Sequence, residues 1–192
     1  HQRELIDPDT RWIAKDITSL SPDKWAKLIG GADIVVNAAG ALQDSGQDNL
    51  DAIHNTMVES LVSGIKTSGM RLVQISAAGA DLNADTEFFR SKAKGDRAVQ
   101  LSGLDYVIIR PTLVIGPQAY GGTAMLRAFA AMPLLGFRVN AESPMQTVSL
   151  EDVSQAVVAA ANGEIRSQTS ADLTEDCLLY TSDAADEGLR VD

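Results

Sequence analysis

Thiol and imidazole chemistry have little to work with in this chain. It has one cysteine, Cys177, so no disulfide can close within it and no thiolate cluster can hold a metal. Its two histidines, His1 and His54, give no support to a zinc site or to a Ser-His-Asp arrangement. Long apolar runs are also missing. The longest, Ala124 to Phe137, is interrupted by Arg127 and Pro133 and is too short to span a bilayer. Positive charge is scarce: 16 Lys and Arg stand against 26 Asp and Glu, for a net charge of -10. That balance argues against nucleic acid or an anionic membrane as partner and leaves a small molecule or another protein. No secretory signal is visible, and the remainder is compatible with a reducing cytoplasm. The first residue is His1, inside a polar stretch, so the sequence reads as the interior of a longer protein.

The last residues stand apart. Cys177 to Glu187, CLLYTSDAADE, back-translate without a misfit to the transposase mosaic-end adapter of sequencing libraries, and the adapter's continuation fits Arg190 to Asp192. Residues 177–192 are therefore expected to be a translated adapter with no structure of their own, and residues 1–176 a single partial domain. Removing the tail also removes the only cysteine.

Strand and helix patterns alternate along the rest. A short apolar run, Trp12 to Ala14, leads to Asp16. Ser21-Pro22 predicts a helix start, with serine as cap and proline at the first turn, and Gly30-Gly31 its end. Residues 32–40, ADIVVNAAG, read as a central parallel strand ending in small residues. Ile53, Met57, Leu61 and Ile65, four apart, predict a helix over 48–68. Further strands are expected at 71–75 and 106–109, and helices at 86–102 and 122–132. Ser149 to Asp152 resembles a capping box opening a helix to Ala161. This alternation predicts an α/β fold with a parallel sheet covered on both faces. In such sheets ligands sit beyond the carboxyl ends of the strands. That rule picks out Asp16, Asn37-Ala38-Ala39-Gly40, Ser76-Ala77-Ala78-Gly79 and Arg110-Pro111.

The stretches RLVQISAAGA, FFRSKAKGD and GLDYVIIRPTLVIGP then carry a resemblance. Their layout is similar to the Ser, Tyr-x-x-x-Lys and Arg-Pro-x-x-x-x-Gly-Pro motifs of the short-chain dehydrogenase/reductase (SDR) superfamily, most closely its extended and atypical branches. The resemblance covers most of the chain and implies a doubly wound, Rossmann-type sheet that binds NAD or NADP. It implies that Asn37, Ala38, Ala39 and Gly40 lie beside the cofactor's adenine ribose, and that Asp16 meets the adenine amino group. Asp16 reads equally well as a solvated loop carboxylate. Ser76 would hold the substrate oxygen and Lys92 the nicotinamide ribose, while Arg110 and Pro111 would run along the nicotinamide. Gln146 to Val148 resembles the region that closes the substrate cleft.

Phe88 occupies the Tyr position of Tyr-x-x-x-Lys, four residues before Lys92, and has no proton to give. Phe89, next to it, has none either. Tyr106 lies in an expected central strand and reads as core. Tyr120, in the loop after Gly116-Pro117, is the candidate replacement acid. The glycine-rich turn that meets the pyrophosphate, G-x-x-G-x-x-G, is absent, so the sheet is expected to lack its first strands and the chain to bind cofactor poorly.

Two functions stay open. One is an NAD(P)-dependent oxidoreductase-like protein, similar to the branch containing an accessory subunit of respiratory complex I. The other is a non-catalytic NADP(H) binder acting as structural ligand or redox sensor through a protein partner. A sugar-nucleotide epimerase or dehydratase is a third reading. The location expected is cytoplasmic, with membrane association open for the parent protein. The substrate, and the choice between NAD and NADP, are not readable from these residues.

Overall fold

The computed structural model describes residues 10–44, 49–65, 69–117, 144–175 and 178–180. Its centre is a four-stranded parallel sheet in the order β1-β2-β3-β6. The strands are β1 (Ile34–Asn37), β2 (Arg71–Ile75), β3 (Asp105–Pro111) and β6 (Thr169–Leu173). The pairing runs Val36 to Val73, Val73 to Val107 and Ile109 to Ala171. Parallel neighbours need crossovers, and helices supply them. A π-helical turn, Ala52–Thr56, runs straight into α2 (Met57–Ile65) between β1 and β2, and α3 (Glu87–Gln100) joins β2 to β3.

Alternation along the strands sends successive side chains to opposite faces. Leu72, Tyr106 and Ile108 face one way and pack with Trp25 of α1 (Pro22–Ile29), Met57, Leu61 and Ile65 of α2, and Val99 of α3. Val73, Val107 and Ile109 face the other way and meet Ala156, Val157 and Ala160 of α4 (Leu150–Ala161). Both faces therefore carry helices, as a partial, doubly wound Rossmann-type sheet requires. On β1 the second face is bare, with Ile34 and Val36 38% and 45% exposed.

Local chemistry sets the helix limits. Pro22 opens α1, but Ser21 makes no side-chain cap; only its carbonyl oxygen is used, accepting from the Trp25 amide at 2.9 Å. Thr86 caps α3 by accepting from the Phe89 amide, and Ser149 caps α4 by accepting from the Asp152 amide at 3.0 Å. Gly31 and Gly103, just past the ends of α1 and α3, hold φ of 87° and 76°, where a side chain would be strained.

Three features differ from the expectations. Trp12 to Ala14 is exposed and irregular, because no described strand lies alongside to pair with it. A second, small sheet links β4 (Leu113–Ile115), β5 (Pro144–Ser149) and β7 (Leu178–Tyr180) in that order. Within the stretch expected to be unstructured, Leu178–Tyr180 pair antiparallel with Pro144–Gln146; two leucines and a tyrosine suit an extended strand. The helix expected over 122–132 lies outside the described residues.

Candidate functional site

The carboxyl ends of β1, β2 and β3 bring together Asn37 to Gly40, Ser76 and Arg110-Pro111, and α3 adds Lys92. Backbone bonds fix the ends against each other. The Ser76 amide donates to the Ile109 carbonyl oxygen at 2.8 Å, and the Ala78 amide donates to the Pro111 carbonyl oxygen at 2.9 Å.

Side chains from α3 then fill the gap between these ends. Lys92 is 7% exposed, and its Nζ donates to the Ile75 carbonyl oxygen at 3.3 Å. Burial pulls its pKa down, against the opposing pull of the Asp96 charge. Gly40 lies against it: a Cβ there would stand 3.2 Å from Lys92 Nζ and 3.3 Å from His54 Nε2. A side chain at Gly40 would therefore crowd both Lys92 and His54. Ala38 and Gly40 remain exposed, while the Asn37 side chain is spent internally. Its Nδ2 donates to Gln74 Oε1 at 2.8 Å, and its Oδ1 accepts from the Ala39 amide at 3.2 Å.

Asp96, one helical turn beyond Lys92, is a member of the site that the sequence reading missed. It is 1% exposed, and its Oδ2 accepts from Ser76 Oγ at 2.8 Å and from Arg110 Nε at 2.9 Å. Among the described residues its Oδ1 is buried without a hydrogen-bond partner. Burial raises its pKa, and the Ser76 hydrogen bond and the Arg110 charge oppose that rise. The available signal was spacing: residues four apart share a helix face.

His54 is the second missed residue. It is 2% exposed, on the π-helical turn. Its Nε2 accepts from the Ala41 amide at 3.1 Å, which leaves the hydrogen on Nδ1, 2.9 Å from Ser91 Oγ. Ser91 Oγ in turn donates to the Phe88 carbonyl oxygen at 3.0 Å. Burial, helped by the nearby Lys92 charge, holds the imidazole pKa down at about 4, so His54 is neutral. It ties the loop after β1 to α3.

Phe88 packs edge-on against His54 and Phe89, with ring centroids 5.6 Å and 5.2 Å away. Asp16 does not join the cluster. It is exposed, caps a 3-10 turn at Ile17–Ser19, and accepts from the Thr18 amide and hydroxyl at 3.0 and 2.7 Å. Those bonds hold its pKa low. Tyr106 is core, at 7% exposed, and Tyr120 lies outside the described residues. An open hollow of about 500 Å³ sits elsewhere, between α4 and Leu173 to Glu175. It contains no buried ionisable group, so the chemistry points to the strand ends instead. Among the described residues no group of acids, histidines or cysteines can hold a metal, and no helix is long and apolar enough to cross a membrane.

Comparison with known proteins agrees with this geometry. A family model described as NAD(P)H-binding matches residues 2–164. The chain is 25% identical over 143 residues to NADH dehydrogenase (ubiquinone) 1 alpha subcomplex subunit 9, mitochondrial, of Arabidopsis thaliana, covering 72% of this chain and 35% of that protein. It spans little more than a third of the length of the curated relatives it matches. Among solved structures, the Bordetella bronchiseptica enzyme WbmH in complex with NAD+ superposes with a TM-score of 0.79 at 20% identity, over 94% of this chain and 66% of that one. UDP-glucuronic acid 4-epimerase from Bacillus cereus, in complex with NAD, gives 0.78 at 16%, over 94% and 65%. A parallel sheet whose strand ends converge on a buried lysine, under a family match of this extent, leads to one assignment: the chain belongs to the NAD(P)H-binding family and has its Rossmann-type fold.

Proposed function

We propose that these strand ends form the nicotinamide side of an NAD(P)(H) site in an oxidoreductase-like protein, with Phe88 standing at the tyrosine position of the motif it resembles. The buried Lys92 carries this reading. An ammonium is held out of water beside Gly40 and the end of β2, where ribose hydroxyls would replace lost solvent. In this reading Asn37, Ala38, Ala39 and Gly40 line the approach, Lys92 holds the ribose, and Arg110 and Pro111 support the nicotinamide. Ser76 meets the substrate side. Asp16 keeps only its sequence argument for adenine, since its side chain is committed to Thr18.

The residues present suit one half of the cofactor. The small exposed Ala38 and Gly40 leave room beside Lys92, but the sequence has no G-x-x-G-x-x-G turn to cradle the pyrophosphate. When bound, a nicotinamide cofactor supplies hydride transfer. This chain's contribution is to bind and orient. Phe88 cannot move a proton, so an acid would have to come from Tyr120, from water or from another part of the protein. A non-catalytic role, with NADP(H) as structural ligand or redox sensor, is favoured by Phe88, whose ring is packed against His54 and Phe89. The relatedness to an NADH dehydrogenase subunit supports a protein partner in that case. The epimerase or dehydratase alternative rests on fold likeness.

Titration with NADPH and NADH, followed by amide NMR, tests the reading. The expected result is binding weaker than micromolar, with shifts at Ala38 to Ala41, Ser76 to Gly79 and Arg110 to Thr112 that are lost in Lys92→Met. Shifts elsewhere, or none at millimolar cofactor, would overturn it.

A further inference from the structure

Ser76 is expected, from its resemblance, to hold a substrate oxygen. Such a role toward a carbonyl needs a free hydroxyl hydrogen, because a carbonyl only accepts. A serine has one hydrogen and two lone pairs. In this structure the hydrogen is committed: Ser76 Oγ donates to Asp96 Oδ2 at 2.8 Å. The direction follows from the acceptor. Arg110 Nε, which can only donate, already donates to the same Asp96 Oδ2 at 2.9 Å, so that oxygen is an acceptor and takes the Ser76 hydrogen as well. The pair is buried, with Ser76 5% and Asp96 1% exposed, so no solvent competes for the hydrogen. Were the hydroxyl to swing away, the buried carboxylate would keep only its Arg110 bond, since Oδ1 already lacks a partner among the described residues.

We propose that Asp96 is a positioning residue that turns Ser76 into a hydrogen-bond acceptor toward the strand-end site, so that the ligand group seated there is a donor, an alcohol hydroxyl or an N–H, rather than a carbonyl. This deepens the proposed NAD(P)(H) reading and rests on its placement of the site. It means the site selects the alcohol form of a substrate pair, or an amide, over the ketone. It also means that Ser76 cannot substitute for the proton donor that Phe88 fails to be, because its hydrogen is held on the side away from the ligand.

Two measurements on the 192-residue chain test this, and neither needs dinucleotide binding. The first follows the Asp96 side-chain carboxyl by ¹³C NMR across pH, with Lys92 and Arg110 as the cations facing it. Replacing Ser76 by alanine takes a donor from the carboxylate, and the expected result is an upward shift of its titration. An unchanged titration overturns the proposal. The second adds 2-propanol or acetone as probes and follows the Ser76 and Ala77 amides. The alcohol is expected to give the larger response, by roughly threefold or more, the factor that one net hydrogen bond confers. In Asp96→Ala the hydroxyl hydrogen loses its acceptor and is released, so the preference is expected to reverse toward acetone. An acetone response equal to or above that of 2-propanol in the unaltered protein, or no response to either, overturns the proposal. If Asp96→Ala does not fold, the Ser76→Ala titration still decides. Alcohol preference without any NADPH effect would sink the cofactor reading while leaving this one standing.

Discussion

His54 shows how a single residue links the site to stability. Its imidazole is neutral in the fold, with a pKa held at about 4, whereas an unfolded histidine titrates near 6.5. Between those values the unfolded chain takes up a proton that the folded chain refuses. Stability therefore falls as pH drops from about 6.5 to about 4, by up to about 1.4 kcal/mol per unit, and is flat with respect to this group outside that window. Urea unfolding of the protein and of His54→Gln is expected to converge as pH falls, because the variant lacks that component of the slope; parallel curves would contradict the assignment. Truncating Lys92 to methionine is expected to stabilise or leave unchanged the fold while removing cofactor effects, since a buried cation loses its desolvation penalty. Retained NADPH shifts in that variant would count against Lys92. Ser76, Lys92, Arg110 and Gly40 were legible because their spacing resembles a known layout. Asp96 and His54 were not, because a buried polar residue has no signature in hydrophobic periodicity. What makes them tolerable is their partners, which come from other elements: Ser76 and Arg110 for one, Ala41 and Ser91 for the other.

At the scale of elements, glycines decide how closely helices approach. A Cβ on Gly64 of α2 would stand 2.7 Å from both the Pro22 carbonyl oxygen and Trp25 Cβ of α1, distances that real side chains do not show. Gly64→Ala is expected to push α1 off α2 and cost roughly 1–3 kcal/mol, with a lower melting temperature and Trp25 more exposed to quencher. At Gly95 a Cβ would run into the His54 carbonyl oxygen, which is backbone and cannot yield. Gly95→Ala is expected to be the more damaging of the two by thermal melting. Ser149→Ala removes the cap of α4 and is expected to cost about 1 kcal/mol. The helices α1 and α3 were readable from Pro22 and from the glycines that end them, α4 from its capping serine, and β1 from its apolar run. The strand β6 was hidden, because Thr169–Leu173 is polar and largely exposed and is a strand only through its ladder to β3. The π-helical turn was hidden for a similar reason: spacing by four pointed to Ile53, whereas His54 and Leu50 are the buried residues there. The short sheet β4-β5-β7 rests on pairing between distant segments, which local patterns do not encode.

For the whole molecule, the two tryptophans report on opposite conditions. Trp12 is 75% exposed and Trp25 8%, so quenching by acrylamide is expected to resolve an accessible and a protected population; uniform protection would contradict the irregular, exposed course of residues 10–15. The expectation that residues 177–192 lie outside the domain is tested by deleting them. The amide spectrum of the four-stranded sheet is expected to stay unchanged, with differences confined to β5. The order of that sheet has one more consequence, for how the protein is made. A ribosome delivers the chain from its amino end. Because β1, β2 and β3 sit side by side in the order they are written, each emerging strand meets an edge that is already there. Both hydrogen bonds of Asp96 Oδ2 can form once Arg110 has cleared the exit, long before α4 exists to cover Val73, Val107 and Ile109. For that interval the nascent chain holds a formed polar cluster beside an apolar face that α4 has yet to cover, a face open to its neighbours until residues 150–161 arrive.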